Sequence, residues 1–234
     1  MHCSSRSYHY TESLQDIQSS LLYFDLRYIL LLKNHDGKQR KPPSKIKNIL
    51  SQKQINSILY SDPFLKAGFI SKLVIETEEP ILYVDLDLLY SGYAVSGILP
   101  RLDNLTLYQP TEDTIAQILT DVLVKASSSQ VLVVVDSING LFNILNLKKE
   151  VGRSVASILM LLASTASHTN SYLVVGSLVR YRKEEGWVLS PTGKRLIETK
   201  NSRKLLLEYG KGGITVNVLD GGAKMLLPAD VLPL

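Results

Sequence analysis

From about residue 46 onward, short apolar runs alternate with stretches of helical spacing. Residues 55–60 and 81–86 read as strands, the second a continuous apolar run ending in acids. Residues 105–108 form a shorter strand. Residues 131–135 are the most hydrophobic run of all, which predicts a strand buried on both faces near the centre of a sheet. Residues 171–175 supply another. Between these runs, residues 66–76 place Ile70, Leu73 and Val74 on one helical face. Thr111, followed by Glu112 and Asp113, reads as the N-cap of a helix running to about Lys125. Its stripe is Ile115, Ile118, Leu119, Val122 and Leu123. Residues 154–167 are apolar almost all round, so a well-buried helix is expected there.

Strand–helix alternation of this kind implies a mostly parallel twisted sheet covered by helices on both faces. The C-terminal part differs. Residues 203–209 and 214–219 are strand-like and flank a glycine-rich GKGG, so an antiparallel β-hairpin is expected. The reading is therefore α/β, with residues 46–234 as one core domain and residues 1–45 as an N-terminal extension. Residues 1–18 are polar and expected to fray, and Pro42-Pro43 exclude a helix from the basic connector at 33–47.

At 234 residues the chain is long enough to bury a sizeable core, and a charged fraction of 21% is ordinary for a globular domain. A net charge of +4 is compatible with a nucleic-acid partner without demanding one. Cys3 is the only cysteine, which excludes an internal disulfide framework and favours a reducing, cytoplasmic location. Residues 21–32 are apolar but too short to span a bilayer and contain Asp25 and Arg27. No secretory leader is expected. His2, His9, His35 and His168 are scattered without metal-ligand spacing, so no metal site is expected.

One absence stands out. The run VLVVVDSI at 131–138 is a buried strand ending in an acid, as in the nucleotide sites of many ATPases. Strand 55–60 should then feed a loop of the form G-x-x-x-x-G-K-[ST], whose backbone N–H groups cradle phosphates. The residues that follow are SDPFLKAGF at 61–69, without the glycines and without a Lys-Ser or Lys-Thr pair.

With these segments the chain, over about residues 46–220, resembles the RecA/RadA recombinase superfamily, in particular archaeal RadA-like and RadB-like cores. YVDLD at 83–87 resembles the strand carrying the acidic catalytic segment, and DSINGLF at 136–142 resembles the Walker B acid and the entry to a first DNA-binding loop. LVVGSLV at 173–179 resembles the strand before a second DNA-binding loop. Pro191 to Gly193 and RKLLLEYGKGG at 203–213 resemble the family's C-terminal segment and hairpin. The resemblance implies a RecA-like fold, and its departures imply a degenerate Walker A loop. Ala67 and Gly68 stand where the family has its Lys and Ser/Thr, Asp87 where it has a Glu, and Gly176-Ser177 where RadA-like proteins carry a phosphate-sensing amide. No helix-hairpin-helix module is expected ahead of the core.

Any residual nucleotide site would use Asp62, Lys66, Asp87 and Asp136, and ATP with magnesium is expected to bind weakly or not at all. Lys66 is expected to be a solvated lysine at a helix start. Asp136 is either a magnesium-water ligand or a strand-end acid capping the next turn. Asp85 and Asp87 are read as pointing to opposite faces because strand side chains alternate, so at most one can face the nucleotide site and paired-carboxylate catalysis is not expected. The resemblance places Arg180, Tyr181, Arg182 and Lys183 on a DNA-binding loop, where cations meet phosphates and the ring stacks on a base. Glu184 and Glu185 dilute the charge, and Lys194 and Arg195 add to it. The expected function is that of a non-hydrolysing paralogue acting in homologous recombination and DNA repair. Its partners would be single-stranded DNA, a RecA/RadA-type protein or a second copy of itself. Two alternatives remain open: a pseudo-ATPase scaffold subunit in an Elongator-like or KaiC-like assembly, and a weakly active ATPase.

Overall fold

A computed structural model describes residues 46–145, 150–191 and 202–228. The expectations for residues 1–45, for Lys194 and Arg195, and for Thr192 and Gly193 lie outside these residues.

The chain enters through a short 3-10 turn, Lys47–Ile49, into strand β1, Ile55–Tyr60. It continues through α1 (Pro63–Glu76), β2 (Ile81–Asp85), α2 (Leu89–Val95), β3 (Leu105–Tyr108), α3 (Ile115–Ser128) and β4 (Leu132–Asp136). Then come α4 (Ile138–Ile144), α5 (Val151–His168), β5 (Tyr172–Arg182) and β6 (Gly186–Leu189). Strands β7 (Ser202–Gly210), β8 (Gly213–Val218) and β9 (Lys224–Pro228) complete the described residues.

The strands form one mixed sheet in the order β3-β2-β4-β5-β1-β7-β8-β9, with β6 hydrogen-bonded to the outer half of β5. Pairings from β3 across to β7 are parallel, and those of β7 with β8 and β8 with β9 are antiparallel. Strand β4 lies inside the sheet and every residue of it is buried, as its apolar run predicts. The C-terminal hairpin forms where expected, with Lys211 and Gly212 at its tip and a φ of 86° at Gly212. That left-handed conformation favours glycine.

Two apolar layers cover the sheet. On one face, Leu65, Phe69, Ile70, Leu73 and Val74 of α1 pack with Tyr90 of α2 against β1, β2, β4, β7 and β8. On the other, α3, α4 and α5 pack against β2, β4 and β5. No helix among the described residues is long and apolar enough to cross a membrane.

Three local expectations are corrected. Thr111 is not a helix cap: residues 112–114 form a turn, and α3 starts only at Ile115. Helix α5 is not buried all round. It buries Val155, Leu159, Leu162 and Ala166 along one stripe and leaves Met160 and Leu161 exposed. Strand β5 runs seven residues beyond Val175 to Arg182, so the expected loop is a strand.

Candidate functional site

The site is built where β1, β2 and β4 end on the α1 face of the sheet. The register places Asp85 opposite Asp136, and the Asp136 carbonyl accepts the backbone N–H groups of Leu86 (2.6 Å) and Asp87 (3.1 Å). The chain after β2 is thereby folded over the end of β4.

Only Ser61 and Asp62 separate β1 from α1. A two-residue link cannot wrap phosphates as a glycine-rich loop does. The start of α1 is also satisfied from within. Pro63 at its first position has no N–H, and the Asp62 carboxylate accepts the Phe64 N–H at 2.8 Å. Tyr209 of β7 donates its hydroxyl proton to the other Asp62 oxygen. The helix end that would attract an anion already carries the chain's own carboxylate.

Lys66 corrects the expectation of a solvated side chain. It is 1% exposed and points inward across the ends of the strands. Its ammonium donates to Asp136 Oδ1 at 2.7 Å and to Asp87 Oδ2 at 2.9 Å, and lies 5.3 Å from the centre of the Tyr60 ring. Two carboxylates thus accept from the ammonium, and a π-face lies beside it. Asp136 Oδ2 accepts the Tyr83 hydroxyl at 2.6 Å. Asp87 Oδ1 accepts the Ser137 hydroxyl at 3.0 Å, and that hydroxyl oxygen in turn accepts the Gly140 N–H at the start of α4. Gly176 makes room for this arrangement, because a Cβ there would lie 3.1 Å from Asp136 Oδ1 and 3.5 Å from Lys66 Cδ.

Asp85 and Asp87 do diverge, but not through strand alternation, since residues two apart on a strand share a face. Strand β2 ends at Asp85, and Leu88 adopts a φ of 58° before α2 begins. Asp85 then turns under α2, where its Oδ2 accepts the Ser91 N–H at 2.7 Å. Asp87 swings back to Lys66. Among the described residues, no group of three or more His, Cys, Asp or Glu is arranged to hold a metal ion.

Burial would lower the Lys66 pKa, but the charges of Asp136, Tyr60 and Asp87 outweigh it and hold the ammonium above its ordinary value. Burial lifts Asp136 to about 6 against the pull of Lys66, so the pair is ionised at neutral pH. Tyr83 and Tyr60 are raised chiefly by burial. Lys66, Tyr60 and Tyr83 all have folded-state values above their unfolded ones. Each therefore contributes stability that is complete below about pH 10 and is lost as pH rises through the folded value. The melting temperature should fall steeply above about pH 10, and Tyr83→Phe should soften that fall. Superimposable pH profiles for Tyr83→Phe and wild type would contradict the assignment.

These residues do not fit a nucleoside triphosphate and its magnesium ion. The lysine that would meet phosphate is neutralised twice over, two carboxylates face the incoming anion, and the Phe64 N–H at the helix start is taken by Asp62. Lys66, Asp87 and Asp136 are brought together, whereas the Asp62 carboxylate bonds Phe64 and Tyr209 and stays out of the lysine cluster.

The predicted basic loop is a β5–β6 hairpin. Cross-strand pairing sets Tyr181 opposite Trp187 and Arg180 opposite Val188. Because side chains alternate along a strand, Tyr181 shares a face with Trp187, while Arg180 and Arg182 lie on the other. The expected mixed cluster is thus split into an aromatic side and a basic side. Tyr181 is 65% exposed and meets Trp187 edge-on with ring centres 5.4 Å apart. Arg182 bonds Glu185 at 2.8 Å, whereas Arg180 and Lys183 are exposed with no ion-pair partner among the described residues. Trp187 is not among the residues singled out in the sequence, although Gly186 just before it, with a φ of 73°, is the turn signal that sets it on the returning strand. Searches against protein-family models and curated protein sequences give no match to this chain.

Proposed function

We propose that this chain is a RecA/RadA-like accessory protein, a non-hydrolysing paralogue that acts in homologous recombination and repair by binding single-stranded DNA, alone or with a recombinase-type partner. The observation carrying this reading is the self-filled site: Lys66 lies between Asp136 and Asp87 where an ATPase would need a free lysine and an open loop. A mostly parallel sheet whose strand-end acid is bonded to the chain's own lysine supports a fold retained for binding. The exposed hairpin supplies the chemistry for that binding. Arg180 and Lys183 are available to phosphates, and Tyr181 presents an open π-face to a base.

The test measures a labelled oligothymidine across a salt series. Two phosphate contacts give a slope of log K against log salt of about −1.4, from about −0.7 per contact on single strands. Arg180→Ala/Arg182→Ala/Lys183→Ala should abolish that slope. Loss of the Tyr181 ring should cost about 1–3 kcal/mol of binding. ATP with magnesium should leave the melting temperature unchanged. A turnover abolished by Asp136→Ala would overturn the non-hydrolysing reading. Absence of single-strand binding would favour the scaffold reading instead. One observation already speaks for it: Phe64 and Leu88, each close in sequence to a member of the lysine cluster, are 60% and 57% exposed.

A further inference from the structure

Asn139 lies in α4, two residues after Ser137, and is buried. Its side-chain amide is used on both sides. Oδ1 accepts the Leu178 N–H at 2.8 Å, and Nδ2 donates to the Ser190 carbonyl at 2.7 Å and the Leu178 carbonyl at 3.4 Å. Leu178 sits in β5 just before the hairpin strands pair, and Ser190 follows β6 directly. One side chain therefore ties together both strands at the root of the hairpin. A backbone bond from the Ser190 N–H to the Leu178 carbonyl, 2.9 Å, closes the same ring of contacts.

The same end of α4 also belongs to the lysine cluster. Ser137 caps the helix through the Gly140 N–H and gives its hydroxyl proton to Asp87, which holds Lys66. From Lys66 to the hairpin root, every link is a covalent bond or a hydrogen bond within this chain. No link waits for a ligand. A buried amide whose carbonyl and amino groups are both engaged by backbone has a geometric task.

We infer that Asn139 is the positioning residue of the β5–β6 hairpin, and that the hairpin is held ready to bind single-stranded nucleic acid with no nucleotide required. This deepens the proposed function and rests on it for the ligand. The hairpin's pose is set by Asn139 whether or not that ligand is correct.

The experiment uses the full chain, labelled oligothymidine and the intrinsic emission of Trp187, the only tryptophan in the sequence. With Asn139→Ala, assayed where it remains folded, affinity should fall by about tenfold, because the hairpin must be ordered on binding. The salt slope should stay at the wild-type value, since no phosphate contact is removed. Acrylamide should quench Trp187 more readily in the variant. Wild-type affinity together with wild-type quenching would overturn the inference. So would a wild-type affinity that changes more than about fivefold, the lower end of an allosteric coupling, on adding ATP with magnesium. Amide hydrogen exchange on the wild type decides the matter if the variant does not fold. The Leu178 and Ser190 amides should exchange far more slowly than those of residues 183–186, and equal rates would overturn the clamp. If the wild type binds no oligothymidine, the proposed function fails, while quenching and exchange still test Asn139.

Discussion

Lys66→Ala should destabilise the fold by about 3–5 kcal/mol, because it leaves a buried carboxylate without its cation. Lys66 and Asp136 have side chains only 1% and 2% exposed, so water cannot easily take the ammonium's place. Asp87, at 28%, is partly wet and adds less. Removing both charges should be milder than removing one, since a buried pair contributes little net stability over a neutral replacement. Lys66→Met/Asp136→Asn should therefore recover much of the loss. The deficit of Lys66→Ala should also shrink from pH 7 toward pH 5. Asp136 already sits near 6, and without the lysine its folded-state value climbs further, so the folded variant takes up a proton that the unfolded chain does not. Urea midpoints at constant m give the comparison. A loss under about 1 kcal/mol, independent of pH, would mean that the lysine is not the internal counter-ion described.

Gly140→Ala sets helix propensity against packing. Propensity favours alanine by up to about 1 kcal/mol. Packing opposes it, because a Cβ at Gly140 would lie 2.6 Å from Leu86 Cβ and 2.9 Å from Asp87 Oδ1. Neither neighbour can simply step aside: Leu86 is gripped through its own N–H by Asp136, and Asp87 is the second carboxylate on Lys66. Overpacking of this kind costs about 1–3 kcal/mol, so the net effect should be destabilising. Gly152→Ala near the start of α5 is the control, since nothing lies within 4 Å of its added Cβ and only propensity should act. Two variants shifting in the same stabilising direction would show that the α4 start has room to spare.

Strands whose side chains meet apolar neighbours on both faces were visible in the chain itself. Strand β4, LVVVD, is buried at every position, and β1, β3, β7 and β8 begin and end within about one residue of their apolar runs. Helices α2, LYSGYAV, and α4, INGLFNI, carry no usable period because each interrupts seven residues with a glycine. They are held by Asp85 and Ser137 at their starts, partners that pattern cannot reveal. Strand β6 was hidden for a related reason, since four residues become a strand only through the extension of β5 beside them. Lys66 was misjudged because its fate is decided by residues 21 and 70 positions away. The clue was Gly176 in the middle of an apolar strand, where a missing side chain announces a close neighbour.

The outermost strands of the sheet bear on how other molecules can approach it. Among the described residues, β3 and β9 are the two ends of the eight-strand path, four and five residues long, and the four-residue β6, paired only with β5, is a further short edge. Strand β9 opens on Lys224 and closes on Pro228, and Pro110 follows β3 after a single intervening residue. Short margins bounded by a charge or a proline are poor templates for a further strand. Lateral growth into fibrils is thereby discouraged, and a visiting chain gains little by adding itself as one more ribbon. At these two margins, contact with another molecule falls to side chains rather than to a shared ribbon of backbone bonds, which is the kind of contact that single substitutions can retune.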